Sequence, residues 1–177
     1  YNLINNSLTV LSKGHRNVQG LAEFGNDIYS SEHHHQGGDE INKIILGGNY
    51  GYPIQSYGTE YEKYSWSYEG KKFKGIDVSG FIEPLYAFVP SVAPSSMVFI
   101  KDFNKKWFGD LLLTTLKAQS VYRLKIKESR VIFSEPIWVG ERIRDIINHN
   151  NKILILGESG SLITWFVDEE LLNIGSK

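Results

Sequence analysis

The segment that decides the fold is Ile143-Arg144-Asp145-Ile146-Ile147, a turn at His149-Asn150-Asn151, the run Ile153-Leu154-Ile155-Leu156, a second turn at Gly157-Glu158-Ser159-Gly160, and the run from Leu162 to Val167. Short runs rich in Ile, Leu and Val, cut by Asn, Gly and Ser, read as consecutive strands joined by turns. The same grammar holds upstream. Met97 to Ile100, Leu111 to Leu116, Val121 to Ile126 and Val131 to Phe133 form one group, and Leu8 to Leu11, Gly20 to Phe24, Ile28 to Ser31 and Ile41 to Leu46 another, with Gly25-Asn26-Asp27 as a turn inside it. Helical periodicity is scarce. Three or four strands recurring every ~40 to 50 residues are the sign of propeller blades. The expectation is therefore an all-β chain, a single partial β-propeller over residues 1–177, with four-stranded antiparallel blades near 1–57, 84–135 and 140–170. Residues 58–80, which include Trp66, Lys71-Lys72 and Gly75, break the repeat and are expected to form a long loop over one face. Rings usually close with about four to eight blades, so about three predict the C-terminal half of a propeller, or one whose other half is supplied.

Composition narrows the partners. With 177 residues, 41% of them hydrophobic and 13% aromatic, the chain can bury a core and is not disordered. A net charge of −1 and a pI near 6.6 exclude the basic footprint that nucleic acids or anionic membranes require. A small neutral partner fits better. The absence of cysteine removes disulfides, thiolate metal sites and thiol nucleophiles. No apolar run reaches the ~18 residues of a membrane-spanning helix. The start at Tyr1 carries no leader-like pattern, so any export signal is expected upstream of it.

The densest chemistry lies between Glu32 and Pro53: Glu-His-His-His-Gln-Gly-Gly-Asp-Glu-Ile-Asn from Glu32 to Asn42, then Gly48-Asn49-Tyr50-Gly51-Tyr52-Pro53. Core packing does not demand such an order. Consecutive residues of an extended segment point to opposite sides, so His33 and His35 share a face and His34 takes the other, which argues against a three-histidine metal site. Glycines with Asp and Asn beside them also read simply as turn chemistry. Arg16 and Asn17 follow Gly14-His15; Arg supplies a planar fork suited to carboxylates, and Asn both a donor and an acceptor, though alone the two would pass for a surface pair. Arg142 and Arg144 alternate around Ile143, placing two forks on one face of a strand, either as a carboxylate clamp or as a surface pair bridged to Glu141 and Asp145.

Together these motifs resemble the pyrroloquinoline quinone (PQQ)-dependent aldose sugar dehydrogenase family, which includes soluble glucose dehydrogenase and sorbosone dehydrogenase-like proteins. The resemblance runs from about residue 14 to 167 and is strongest over 14–53 and 142–145. It implies a propeller of the six-bladed type, PQQ and calcium as cofactors, an aldose sugar as substrate, the missing N-terminal half of the propeller as partner, and a periplasmic or secreted location. By the same resemblance Arg16, Asn17, His33, Asp39, Ser91, Lys117, Arg142 and Arg144 are the cofactor-binding candidates, and the backbone carbonyls of His34 and His35 the calcium ligands. Three positions depart from the family: His34-His35 stands where Gly-Pro is usual, Tyr52 where Trp is common, and Val89 where an aromatic covers the quinone.

In that family hydride passes from the sugar's anomeric carbon to the quinone while a histidine base takes the hydroxyl proton; that histidine is expected upstream of Tyr1. No catalytic residue is assigned in this chain, and the segment alone is expected to be inactive. The alternative is a non-catalytic propeller binding a glycan or a protein.

Overall fold

The computed structural model describes residues 2–61 and 76–168. Three antiparallel sheets follow one another along the chain. The first contains β2 (Val18–Phe24), β3 (Asp27–Glu32), β4 (Asp39–Lys43) and β6 (Tyr86–Phe88), in that spatial order. A short β1 (Ser12–Lys13) pairs in parallel with β5 (Gly48–Asn49) beside it. The second sheet is the meander β7 (Pro94–Phe99), β8 (Leu111–Thr115), β9 (Ser120–Lys127) and β10 (Arg130–Trp138), and the third is β11 (Ile143–His149), β12 (Lys152–Gly157) and β13 (Leu162–Phe166). A 3₁₀ turn, Lys105–Trp107, lies between β7 and β8.

Strand β8 shows why the sheets stack. Its sequence Leu-Leu-Leu-Thr-Thr is buried throughout, because sheets cover it on both sides and no alternation with polar residues is needed. Period-two geometry then divides the strand between two cores. Leu111 and Leu113 join Tyr29, Ile41, Phe88, Met97, Phe99 and Leu124 between the first and second sheets. Leu112 joins Ile100, Val121, Ile143, Ile146, Ile153 and Ile155 between the second and third. The register agrees: Leu111 lies opposite Leu124, and Thr114 opposite Val121.

The edge strands define an axis. β2, β7 and β11 each lie at one edge of their sheets, and β7 packs against both β2 and β11. The sheets therefore fan out from a shared inner line, which is blade architecture.

Three expectations need correction. Tyr86–Phe88 closes the first sheet, pairing Asp39 with Phe88 and Ile41 with Tyr86, so the second blade opens at Pro94 and the first extends beyond residue 57. Leu8 to Leu11 is not a strand; Leu8 and Val10 are exposed, and pairing begins at Ser12. Strand β4 stops at Lys43, leaving Ile45 and Leu46 exposed. Most of the expected loop at 58–80, including Trp66 and Lys71-Lys72, lies outside the described residues. Its start is described: Thr59 bridges to Gln36, and Gly58 lies so close that a Cβ there would meet the Gly37 carbonyl oxygen at 2.1 Å. That approach explains why Gly37-Gly38 faces another glycine. Among the described residues no helix is long and apolar enough to cross a membrane.

Candidate functional site

Arg16, the loop that carries His33, and Arg142 lie beside the N-terminal ends of the inner strands β2, β7 and β11. The parallel β1–β5 pair sets up the first part. Gly14 has φ +75, and a Cβ on it would lie 2.2 Å from Asn49 Oδ1 and 2.6 Å from Gly51 N, so only glycine lets the Gly-His-Arg segment lie against the Asn-Tyr-Gly turn. His15 then stacks on Tyr50 at 4.4 Å between ring centres.

Glu32 is the hub. Its Oε1 accepts from Asn42 Nδ2 at 2.6 Å and lies 3.0 Å from His15 Nδ1, while Oε2 accepts from the Arg16 backbone N–H at 2.8 Å. Asn42 also donates to Glu40 Oε2 at 3.0 Å, and Glu40 Oε1 lies 3.2 Å from His34 Nε2. Ser56 Oγ holds His34 Nδ1 at 3.0 Å, and Ser12 Oγ holds His15 Nε2 at 2.8 Å. His34 is buried whereas His33 and His35 are half-buried, so His34 turns away from its two neighbours. His35 sets its ring edge-on to Tyr61.

Burial pushes the Glu32 carboxyl up, but the His15 hydrogen bond, the Arg16 N–H and the charges of His15 and His34 outweigh it and hold the group below its ordinary value of 4.5. A depressed folded-state pKa contributes stability above the unfolded value and loses it as pH falls through the folded one. The urea midpoint is therefore expected to fall as pH drops below 4.5. Glu32→Gln should flatten that slope; an unchanged acid profile in this variant would exclude Glu32 as its source.

Arg16 carries the hub to the surface. Its Nη1 donates to the carbonyls of His33 at 2.9 Å and His34 at 3.2 Å, and its buried Nε has no partner among the described residues. Strand β7 links this corner to the third sheet. Pro94 O lies 2.5 Å from His33 Nε2, Ser95 Oγ donates to Ile143 O at 2.6 Å, and Ser96 Oγ to Asp145 Oδ1 at 2.6 Å. Arg16 with His33, and Arg142 with Arg144, thus flank one end of β7. Arg142 Nε and Arg144 Nη2 both pair with the Glu158 carboxylate. The Arg144 guanidinium, with Arg142 beside it, holds Glu158 below the ordinary glutamate range. The two forks do share a face, but their carboxylate comes from the β12–β13 turn, while Glu141 serves Ser159 and Ser161 and Asp145 serves Ser96.

Two candidates are corrected. Asp39 is fully buried and serves the scaffold: Oδ1 accepts from His34 N at 2.9 Å, and Oδ2 from Ser91 Oγ at 2.5 Å, Val92 N at 2.9 Å and Ala93 N at 2.7 Å. Ser91 gives its hydroxyl proton to Asp39, so neither has a donor left for a ligand carboxylate. Asn17 is exposed and accepts from Gln19 Nε2 at 2.8 Å; Lys117 is also exposed, and its backbone N–H donates to Val92 O. The Glu32–Glu40–Asn42 network went unread because it depends on register: β3 and β4 pair Glu32 opposite Glu40 and Ser30 opposite Asn42. Treating the His-rich stretch as a hairpin would have revealed it.

The fold and site define a segment of β-propeller with a cationic rim at the ends of its inner strands. A family model described as Glucose / Sorbosone dehydrogenase matches residues 2–164, and the chain belongs to that family. It is similar to aldose sugar dehydrogenase YliI of Escherichia coli (strain K12), at 32% identity over 77% of this chain and 37% of that protein. It is also similar to quinoprotein glucose dehydrogenase B of Acinetobacter calcoaceticus, at 30% identity over 66% of this chain and 34% of that protein. A solved glucose dehydrogenase superposes with a TM-score of 0.76 at 30% identity, over 88% of this chain and 45% of that one. The chain spans about a third of the length of these curated relatives.

Proposed function

We propose that this chain supplies the cofactor-holding blades of a PQQ-dependent sugar dehydrogenase that oxidises the anomeric carbon of an aldose. The observation that carries the reading is the pair of guanidinium forks, Arg142 and Arg144, which converge on one carboxylate at the start of inner strand β11. Glu158 stands there as a carboxylate stand-in, and PQQ is a planar tricarboxylate. The unpartnered Nε of Arg16, across β7, supports the same fit. Arg16, Arg142 and Arg144 would hold carboxylates of the quinone, His33 and Lys117 would border it, and the bound quinone would supply the hydride acceptor. The protein's part is orientation and fixed charge. His33 is committed to Pro94 O and His15 to Glu32, which supports the expectation that the proton-accepting histidine lies elsewhere.

The loop alone does not fit calcium. The His34 carbonyl already accepts from the Arg16 guanidinium, and a divalent ion there would face that positive charge. Calcium binding is thus expected only together with a ligand that brings carboxylates. A periplasmic or secreted location belongs to the same proposal.

The test is titration of PQQ, with and without calcium, into the natural full-length polypeptide, followed by absorbance and aldose-dependent dye reduction. Tight binding with turnover is the expected result. Failure to bind would favour the second reading, a non-catalytic propeller that engages a glycan or protein; Glu158 seated in the arginine clamp is the observation on its side.

A further inference from the structure

We propose that Glu32, His34 and Glu40 form a buried site for a divalent first-row transition metal of the zinc class. One ligand atom from each lies within 4.8 Å of the others, and the three residues are 1%, 5% and 4% exposed. The site is separate from the loop carbonyls considered for calcium, and it does not depend on quinone binding.

The case begins with charge. Strands β3 and β4 place Glu32 directly opposite Glu40, so two carboxylates lie side by side on one buried face. Like charges so opposed repel; Asn42, His15 and the Arg16 N–H offset part of that repulsion, and a divalent cation would remove the rest. A divalent cation bound by two carboxylates and one neutral imidazole makes the set neutral. The independent observation is Asn42, which is fully buried. Its amide lies against both carboxylates through Nδ2, at 2.6 and 3.0 Å, while Oδ1 has no partner among the described residues. The two ends of an amide have the same shape. Turning it over would direct Oδ1 at the glutamates, an arrangement that becomes favourable with a cation between them and supplies a fourth ligand.

The surroundings match those of metal-bound histidines. Ser56 Oγ holds His34 Nδ1 at 3.0 Å, fixing the ring so that Nε2 faces Glu40. His15 Nδ1 and the Arg16 N–H engage Glu32 from outside in the same way. One imidazole with two carboxylates suits zinc better than magnesium or calcium, which prefer all-oxygen, partly hydrated shells. Without metal, the same geometry is served by a proton on His34 Nε2 donating to Glu40.

The experiment loads the natural full-length polypeptide with cobalt(II) or zinc during expression, dialyses it, and measures metal content, the cobalt visible spectrum and the unfolding temperature. The expected result is about one ion per chain, cobalt bands typical of four or five ligands, and a lower unfolding temperature after chelation. Glu40→Gln and His34→Gln should lose the ion, with circular dichroism confirming the β fold. Wild-type protein holding under roughly a tenth of an equivalent would overturn the proposal and leave a direct His34–Glu40 contact in its place. Equal loading in folded variants would overturn it too, by placing the metal elsewhere. PQQ titration of metal-free protein reports on the quinone reading alone, so the two fail separately.

Discussion

Replacing Asp39 with alanine is expected to destabilise the protein by about 3–5 kcal/mol. The carboxylate is 0% exposed and takes four hydrogen bonds, three of them from backbone N–H groups. Alanine leaves those donors inside the protein without their carboxylate acceptor, and each stranded donor costs about 1–3 kcal/mol. One of them belongs to Ala93, whose φ of 55 lies in the left-handed region that a side chain disfavours. The Asp39 bond holds that turn, and with it the entry to β7. Asn at position 39 is expected to recover only part of the loss, since one carbonyl oxygen must replace two carboxylate oxygens and the new NH₂ faces other donors. Urea unfolding of the three proteins decides the matter. A shift below about 0.5 kcal/mol for the alanine variant would mean that the loop finds other acceptors.

This residue also shows what the sequence could and could not disclose. The strands were legible because their hydrophobic runs sit between turn residues, and because β8, buried on both faces, opens with three consecutive leucines. Blade boundaries were less so. Tyr86–Phe88 is only three residues long and pairs back to β4 across the intervening loop, a non-local contact that no local pattern encodes. At the site, the spacing of Arg142 and Arg144 pointed to a shared face, and both do reach Glu158, although Arg142 precedes β11 and the register shifts between Ile143 and Asp145. Partner identity was not legible. Glu158 reaches them from another turn, and Asp39 looked like a ligand contact because its donors, Ser91 to Ala93, lie some fifty positions away. A motif fixes residue types, whereas a buried carboxylate's task depends on which donors the fold brings to it.

The second large effect concerns the clamp. In the natural full-length polypeptide, the double substitution Arg142→Ala with Arg144→Ala is expected to weaken PQQ binding by roughly 10²–10³-fold, as charge-assisted forks on a carboxylate are among the stronger polar contacts. Both side chains are nearly half exposed, and among the described residues they pair only with an exposed turn glutamate, so the unfolding midpoint should barely move. That separation of binding from stability is the point of the test, because a scaffold role would move both. Glu158→Gln provides the opposite arm. With its charge gone, the guanidinium groups no longer hold an internal carboxylate and are free for an external one, so quinone affinity should rise. Wild-type affinity in the double variant would sink the clamp. If instead Glu158→Gln destabilised the protein without changing affinity, Glu158 would be a structural brace for the start of β11, and the two arginines would belong to the surface of a propeller that binds something other than the quinone.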